Sequence, residues 1–237
     1  MKEYINRLYR GDFASYFKEV KKDLKIHKKR FIVTVNPETL IMTKKDEDIK
    51  NLLMSEKTSL VADGIAVVKA SKWVGLPIKE RITGIELTEK LLDEANKNGY
   101  SIYLFGAKTE IIEKLVVNIK SDYPKIKIVG YCNGYVTDKD KVMEKIIKAK
   151  PDICLLALGI PMQEKLIYKY FDKFKKGVFI GVGGSFDVLS GTKKRAPKLF
   201  IKLNLEWLYR IICEPERLVR FYKYNVKFLF KVLKVRK

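Results

Sequence analysis

Residues 101–131 read SIYLFGAKTEIIEKLVVNIKSDYPKIKIVGY: a β-rich run, a glycine turn, a stretch of helical period and a second β-rich run. The outer runs, Ser101 to Phe105 and Ile126 to Tyr131, are of strand length, while Ile112, Leu115, Val116 and Ile119 recur along one helical face. Two strands joined by such a helix pair in parallel through a right-handed crossover. The same alternation extends outward in both directions. Strands are expected at Phe31 to Val35, Ser59 to Ala62, Ile153 to Leu158 and Val178 to Val182. Helices are expected at Asp46 to Ser55, Gly64 to Trp73, Gly84 to Asn98, Asp138 to Lys148 and Met162 to Phe174. The pattern predicts an α/β domain over residues 1–192, with a Rossmann-like, mostly parallel sheet, flanking helices and a polar helical opening.

From Thr192 onward no strand pattern recurs, and residues 193–237 read as a basic helical appendage interrupted at Glu214-Pro215. Fourteen basic residues against three acids give this last fifth about half of the chain's net charge of +21. On an α-helix begun at Glu216, Arg217, Arg220, Lys223, Lys227, Lys231 and Lys234 fall within an arc of about 120°. Leu218, Phe221, Tyr222, Val226, Leu229, Val232 and Leu233 occupy the opposite side. Such a helix suits an anionic membrane surface, and equally a core-packed helix with a solvated cationic face. The surplus charge favours polyanions, but no nucleic-acid-binding motif accompanies it.

Composition narrows the function further. Of 237 residues, 47% are hydrophobic, enough for a substantial core. Cys132, Cys154 and Cys213 lack the spacing of a disulfide framework or zinc site, and a single histidine, His27, rules out a histidine metal cluster or histidine-dependent triad. The longest uncharged run, Ile153 to Gln163, falls far short of the roughly 20 residues that span a bilayer. The opening Met1-Lys2-Glu3-Tyr4 carries no export signal, so a reduced, cytoplasmic setting is expected.

In an open parallel sheet ligands bind beyond the carboxyl ends of the strands. Those ends read Thr34-Val35-Asn36-Pro37-Glu38, Ala62-Asp63-Gly64, Phe105-Gly106-Ala107-Lys108, Gly159-Ile160-Pro161-Met162-Gln163-Glu164 and Gly181-Val182-Gly183-Gly184-Ser185-Phe186-Asp187. Glycine turns at Gly106 and at Gly183 to Asp187 could hold phosphate through backbone N–H groups, or be bare turns. Asp63 is a candidate general base that could equally cap a helix. Thr34 and Asn36 could share its cleft, although Asn36-Pro37 is also a turn signal. Arg81 could clamp a diphosphate with its rigid fork, and Gln163 could bond a sugar or base, or cap a helix. The acidic pairs Asp46/Asp48 and Asp138/Asp140 imitate metal-binding carboxylates but sit where acids cap helices, the reading preferred here.

Taken in order, these motifs, together with Glu80-Arg81-Ile82-Thr83-Gly84, Ser190-Gly191, Arg195-Ala196-Pro197 and Glu206-Trp207-Leu208-Tyr209-Arg210, resemble the WecG/TagA/CpsF family of bacterial glycosyltransferases. The resemblance implies an inverting UDP-sugar transferase without a metal or other cofactor. It would move N-acetylmannosamine from UDP to polyprenyl-diphosphate-linked N-acetylglucosamine, in the family's teichoic-acid branch at the inner membrane face. By the same resemblance Asp63 is the base, Thr34 and Asn36 line the acceptor side, and Arg81 and Gln163 meet the reacting groups. The loop Gly183, Gly184, Ser185, Phe186 and Asp187 holds UDP. The tail docks on the membrane and closes the site with Arg210, Arg217 and Arg220, no nucleic acid being involved. Transfer of a mannosaminuronic acid or hexose, or a noncatalytic basic RNA- or membrane-binding module, are the alternatives, and homo-oligomerisation is left open.

Overall fold

A computed structural model describes residues 1–236; Lys237, counted above in the tail's charge, lies outside the described residues. One fully parallel sheet runs β2-β1-β6-β5-β3-β4, built from β1 (Arg30–Val35), β2 (Thr58–Ala62), β3 (Ser101–Gly106), β4 (Lys127–Cys132), β5 (Ile153–Ala157) and β6 (Val178–Gly181). The helices are α1 (Lys2–Asn6), α2 (Phe13–Lys25), α3 (Pro37–Met42), α4 (Glu47–Met54), α5 (Ile65–Trp73), α6 (Gly84–Asn98), α7 (Thr109–Asp122), α8 (Lys139–Ala149), α9 (Met162–Tyr170) and α10 (Ser185–Leu189). The tail adds α11 (Lys198–Lys202), α12 (Glu206–Cys213), α13 (Arg217–Phe221) and α14 (Lys227–Arg236).

Alternating strand residues feed two cores, as the period of two requires. Phe31, Val33 and Val35 of β1 join Phe105, Leu156 and Phe179 on the face covered by α3, α4, α5, α8 and α9. Ile32 joins Val61, Leu104, Leu155 and Ile180 on the face covered by α2, α6 and α7. The edge strand β4 alternates exposed and half-buried residues instead, whereas the opposite edge strand β2 is mostly buried. The chain leaves β1 toward one edge and β3 toward the other, with β5 and β6 filling the gap. The loops after β1, β6 and β5 therefore part near the middle of the sheet, where such folds form a crevice.

Two local features differ from the sequence reading. Asn36-Pro37 opens α3 rather than a bare turn: Asn36 Oδ1 accepts from the Thr39 N–H at 3.0 Å, and Pro37 takes the first helical position, where its missing N–H costs nothing. In the tail, Tyr222–Val226 forms a π-helical turn. Its extra residue rotates everything downstream by about 100° relative to a regular helix. Val232 of the expected apolar side is buried, and Phe228, which a regular wheel leaves off that side, is buried with it, α14 packing on α3 and α5; Leu218, Tyr222, Leu229 and Leu233 are exposed. Lys231, expected on the solvated cationic side, is half-buried, and burial lowers its pKa.

Candidate active site

The parallel register Val35↔Ala62 sets the ends of β1 and β2 level, and the Asp63 N–H donates to the Val35 carbonyl at 3.0 Å. Asp63 and Asn36 thus leave the sheet side by side. A Cβ on Gly64 would lie 3.9 Å from Asn36 Cα, and one on Gly84 would lie 3.8 Å from Thr34 Oγ1. The first turn of α6 therefore faces the same corner. The amino end of α5 is Gly64, and no side chain caps it, so Asp63 is not the cap of the helix that follows it.

Asp63 is partly exposed, and its pKa is pushed up to about 7. Burial is the chief cause; Arg210 and Arg81 pull it back, Glu206 adds to the rise, and the Gly84 backbone opposes it. A carboxyl with that affinity for protons is matched to accept one near neutrality.

Arg81 is not a solvated loop arginine: its side chain is 13% exposed, and its Nη2 lies 3.8 Å from Glu206 Oε2. Glu206, itself buried, also accepts from Arg210 Nη2 at 2.7 Å, one turn further along α12. The tail therefore contributes a carboxylate as well as a guanidinium to the surroundings of Asp63. Arg220 reaches back to Glu38 on α3, with its Nε 2.9 Å from both carboxylate oxygens. Arg217 pairs within the tail, with Glu214 at 2.9 Å. Trp207 stacks on Phe221 at 4.6 Å, tying α12 to α13.

The glycine turns lie across the crevice. Gly183 (φ +47) has nothing within 4 Å of where a Cβ would stand, whereas Gly106 (φ +135) is crowded, with its Cβ position 2.4 Å from the Ala157 backbone. The need for glycine at 106 is thus met by strand packing. Gln163 is buried, and its Oε1 accepts the N–H of Gly159 at 3.1 Å and of Gly183 at 3.2 Å. It joins the two turns from beneath. Phe186 is fully buried in the core below α10, so its part in the loop is packing. Ser185 is buried and Gly184 exposed, while the Asp187 carbonyl accepts from the Lys193 N–H and from the Thr192 hydroxyl.

Both acidic pairs act as helix caps. Asp46 accepts from the Ile49 N–H and Asp138 from the Lys141 N–H. Lys165 bridges Asp46 and Asp48 at 2.7 and 3.0 Å, and Lys169 holds Asp140 at 2.8 Å.

Two acids that sequence reasoning quoted but did not place in the site are Glu206 and Glu164. The four-residue spacing of Glu206 and Arg210 was a readable sign of a helical ion pair. Glu164 carried only its position after Gln163, and its burial appears only with α9 folded against β1 and β6.

Residues 6–237 match the sequence family described as Glycosyl transferase WecG/TagA/CpsF family. Among similar proteins, an N-acetylglucosaminyldiphosphoundecaprenol N-acetyl-beta-D-mannosaminyltransferase of Bacillus subtilis (strain 168) is 45% identical over 206 residues, covering 87% of this chain and 80% of that protein. A protein of the same description from Bacillus spizizenii is 41% identical, covering 81% of this chain and 74% of the relative. One from Staphylococcus aureus (strain NCTC 8325 / PS 47) is 36% identical, covering 87% and 81%.

Proposed function

From the premise that this chain belongs to the WecG/TagA/CpsF family of glycosyl transferases, we propose that it moves N-acetylmannosamine from a UDP donor to N-acetylglucosaminyldiphosphoundecaprenol, inverting the anomeric centre. The observation that carries this reading is Asp63, a carboxyl of raised proton affinity beside Asn36 and Thr34 in the field of Arg81 and Arg210. In a single displacement, Asp63 takes the proton of the acceptor hydroxyl as its oxygen attacks the anomeric carbon. The bond to UDP breaks on the opposite face, and the guanidinium groups stabilise the negative charge that the diphosphate gathers. The loop from Gly183 to Asp187 holds that diphosphate, with Gln163 Oε1 taking the Gly159 and Gly183 N–H groups and so fixing the backbone of the two turns beside it. No metal is assigned, a reading supported by the two acidic pairs serving as caps and lysine partners.

The tail is proposed to dock the enzyme on the cytoplasmic face of the membrane, where an undecaprenyl acceptor resides. Among the described residues no helix is long and apolar enough to cross a bilayer. Among the described residues, ten of the eighteen large hydrophobic side chains that are exposed nonetheless fall between Leu199 and Leu233, interleaved with the tail's lysines and arginines. Apolar contact and attraction to anionic lipid add on such a surface.

The test is a panel of UDP-sugars against a lipid-diphosphate-linked N-acetylglucosamine acceptor in anionic vesicles, with and without chelator. Product from UDP-N-acetylmannosamine, unaffected by chelator, is expected. Product from another UDP-sugar alone would replace the donor assignment, and chelator sensitivity would reinstate a metal.

A further inference from the structure

Immediately after Gln163 stands a second buried carboxyl, Glu164, that the displacement does not use. Both side chains are 2% exposed, and Gln163 Nε2 donates to Glu164 Oε1 at 2.7 Å. Glu164 Oε2 has no partner. Burying a carboxyl with one oxygen unbonded is costly, so the contact made by the other oxygen is the one that holds the side chain. Burial raises the pKa of Glu164 to about 7 against the Gln163 hydrogen bond, which lowers it, and the nearby Glu38 contributes to the rise.

The geometry around Gln163 leaves it a single useful orientation. Its amide oxygen is taken by two backbone donors from different turns, Gly159 and Gly183. Its amide nitrogen must then point the other way, where Glu164 Oε1 receives it. Gly181 makes room for the side chain, since a Cβ there would stand 2.4 Å from Nε2. A terminal amide rotates easily between its two faces, and a flipped Gln163 would present N–H groups to N–H groups.

We propose that Glu164 is a positioning residue: its Oε1 locks the Gln163 amide so that the amide oxygen ties the Gly159 turn to the Gly183 turn and fixes the spacing of the donor diphosphate cradle. The role rests on the reading of those turns as the UDP site. Glu164 itself touches no reacting atom.

Calorimetric titration with UDP, steady-state kinetics and melting temperatures test it on the full chain in three variants. Glu164→Met keeps the volume but offers no oxygen acceptor; it should fold, weaken UDP binding about tenfold and raise KM for the donor more than it lowers kcat. Glu164→Gln retains an acceptor oxygen and should bind UDP within about twofold of wild type. Adding Glu164→Met to Gln163→Leu should cause no further loss, because both act through one contact. Normal UDP binding by the Met variant, a defect in the Gln variant equal to that of the Met variant, or full additivity in the double variant would each overturn the proposal. A Met variant that fails to fold would do so too, by making Glu164 part of the core's stability rather than of the cradle. Absence of UDP binding by the wild-type protein would instead remove the donor-site reading on which this role depends.

Discussion

The carboxyl end of β2 and the amino end of α9 each hold a carboxyl group pushed up to about 7, and there the likeness ends. Asp63 stands partly open in the crevice, with Arg81 and Arg210 holding its pKa down against burial. Glu164 is sealed, with a glutamine amide for a partner and the acidic Glu38 as its charged neighbour. The same shift therefore stands in two different settings: one group is open to exchange a proton, while the other spends its oxygen on holding a buried amide. Proton affinity alone does not mark a catalytic group; access and cationic neighbours do.

Removing the first carboxyl breaks the comparison most severely. Asp63→Ala should leave the fold and UDP binding intact while turnover falls by about 10²–10⁴, the usual contribution of a general base. Product formation in single-turnover assays, alongside UDP titration, checks this, and near-normal turnover would remove Asp63 from the role. Arg81→Ala should act less strongly, but more tellingly. Loss of a nearby guanidinium raises the proton affinity of Asp63, so the limb of the rate profile that rises through about pH 7 should move to higher pH. An unshifted profile would show that Arg81 does not sense the charge on Asp63.

The smallest effect concerns stability at Glu164. Its pKa when folded is raised from 4.5, so the folded chain binds the proton more tightly than the unfolded one. The resulting stabilisation is complete below about pH 4.5 and is lost as pH rises through about 7. Glu164→Gln removes that dependence. Relative to wild type the variant should gain on the order of 3 kcal/mol between pH 4.5 and pH 8. Denaturant unfolding at the two pH values reads the difference, and equal changes in both proteins would mean that Glu164 is ionised in the folded state.

Much of this molecule is legible without coordinates. All six strands lie where short β-rich runs alternate with helical ones, and Gly84–Asn98 and Thr109–Asp122 match their expected limits to the residue. Asp46 and Asp138 cap helices as their positions imply. These features are local: period, propensity and capping act within a few residues, so the sequence states them directly. The tail is where local reasoning slipped. A wheel drawn at a constant 100° per residue has no provision for the π turn at Tyr222–Val226; it grouped Leu229 and Leu233 with Val232 on one apolar side and left Phe228 off it, whereas Phe228 and Val232 are buried and the two leucines exposed.

What the amino-acid order determined alone is the layered α/β scaffold, the polar character of the strand ends and the cationic tail, because burial periodicity and net charge are sums over neighbours in the chain. Only the tertiary structure decided that Glu206 would stand beside Arg81, that Gln163 would span two turns, and that Asp63 and Glu164 would differ in access. Each depends on segments distant in sequence meeting in space. Dielectric surroundings and counter-charges, which set the chemistry of a carboxyl group, arise from that meeting and from nothing nearer along the chain.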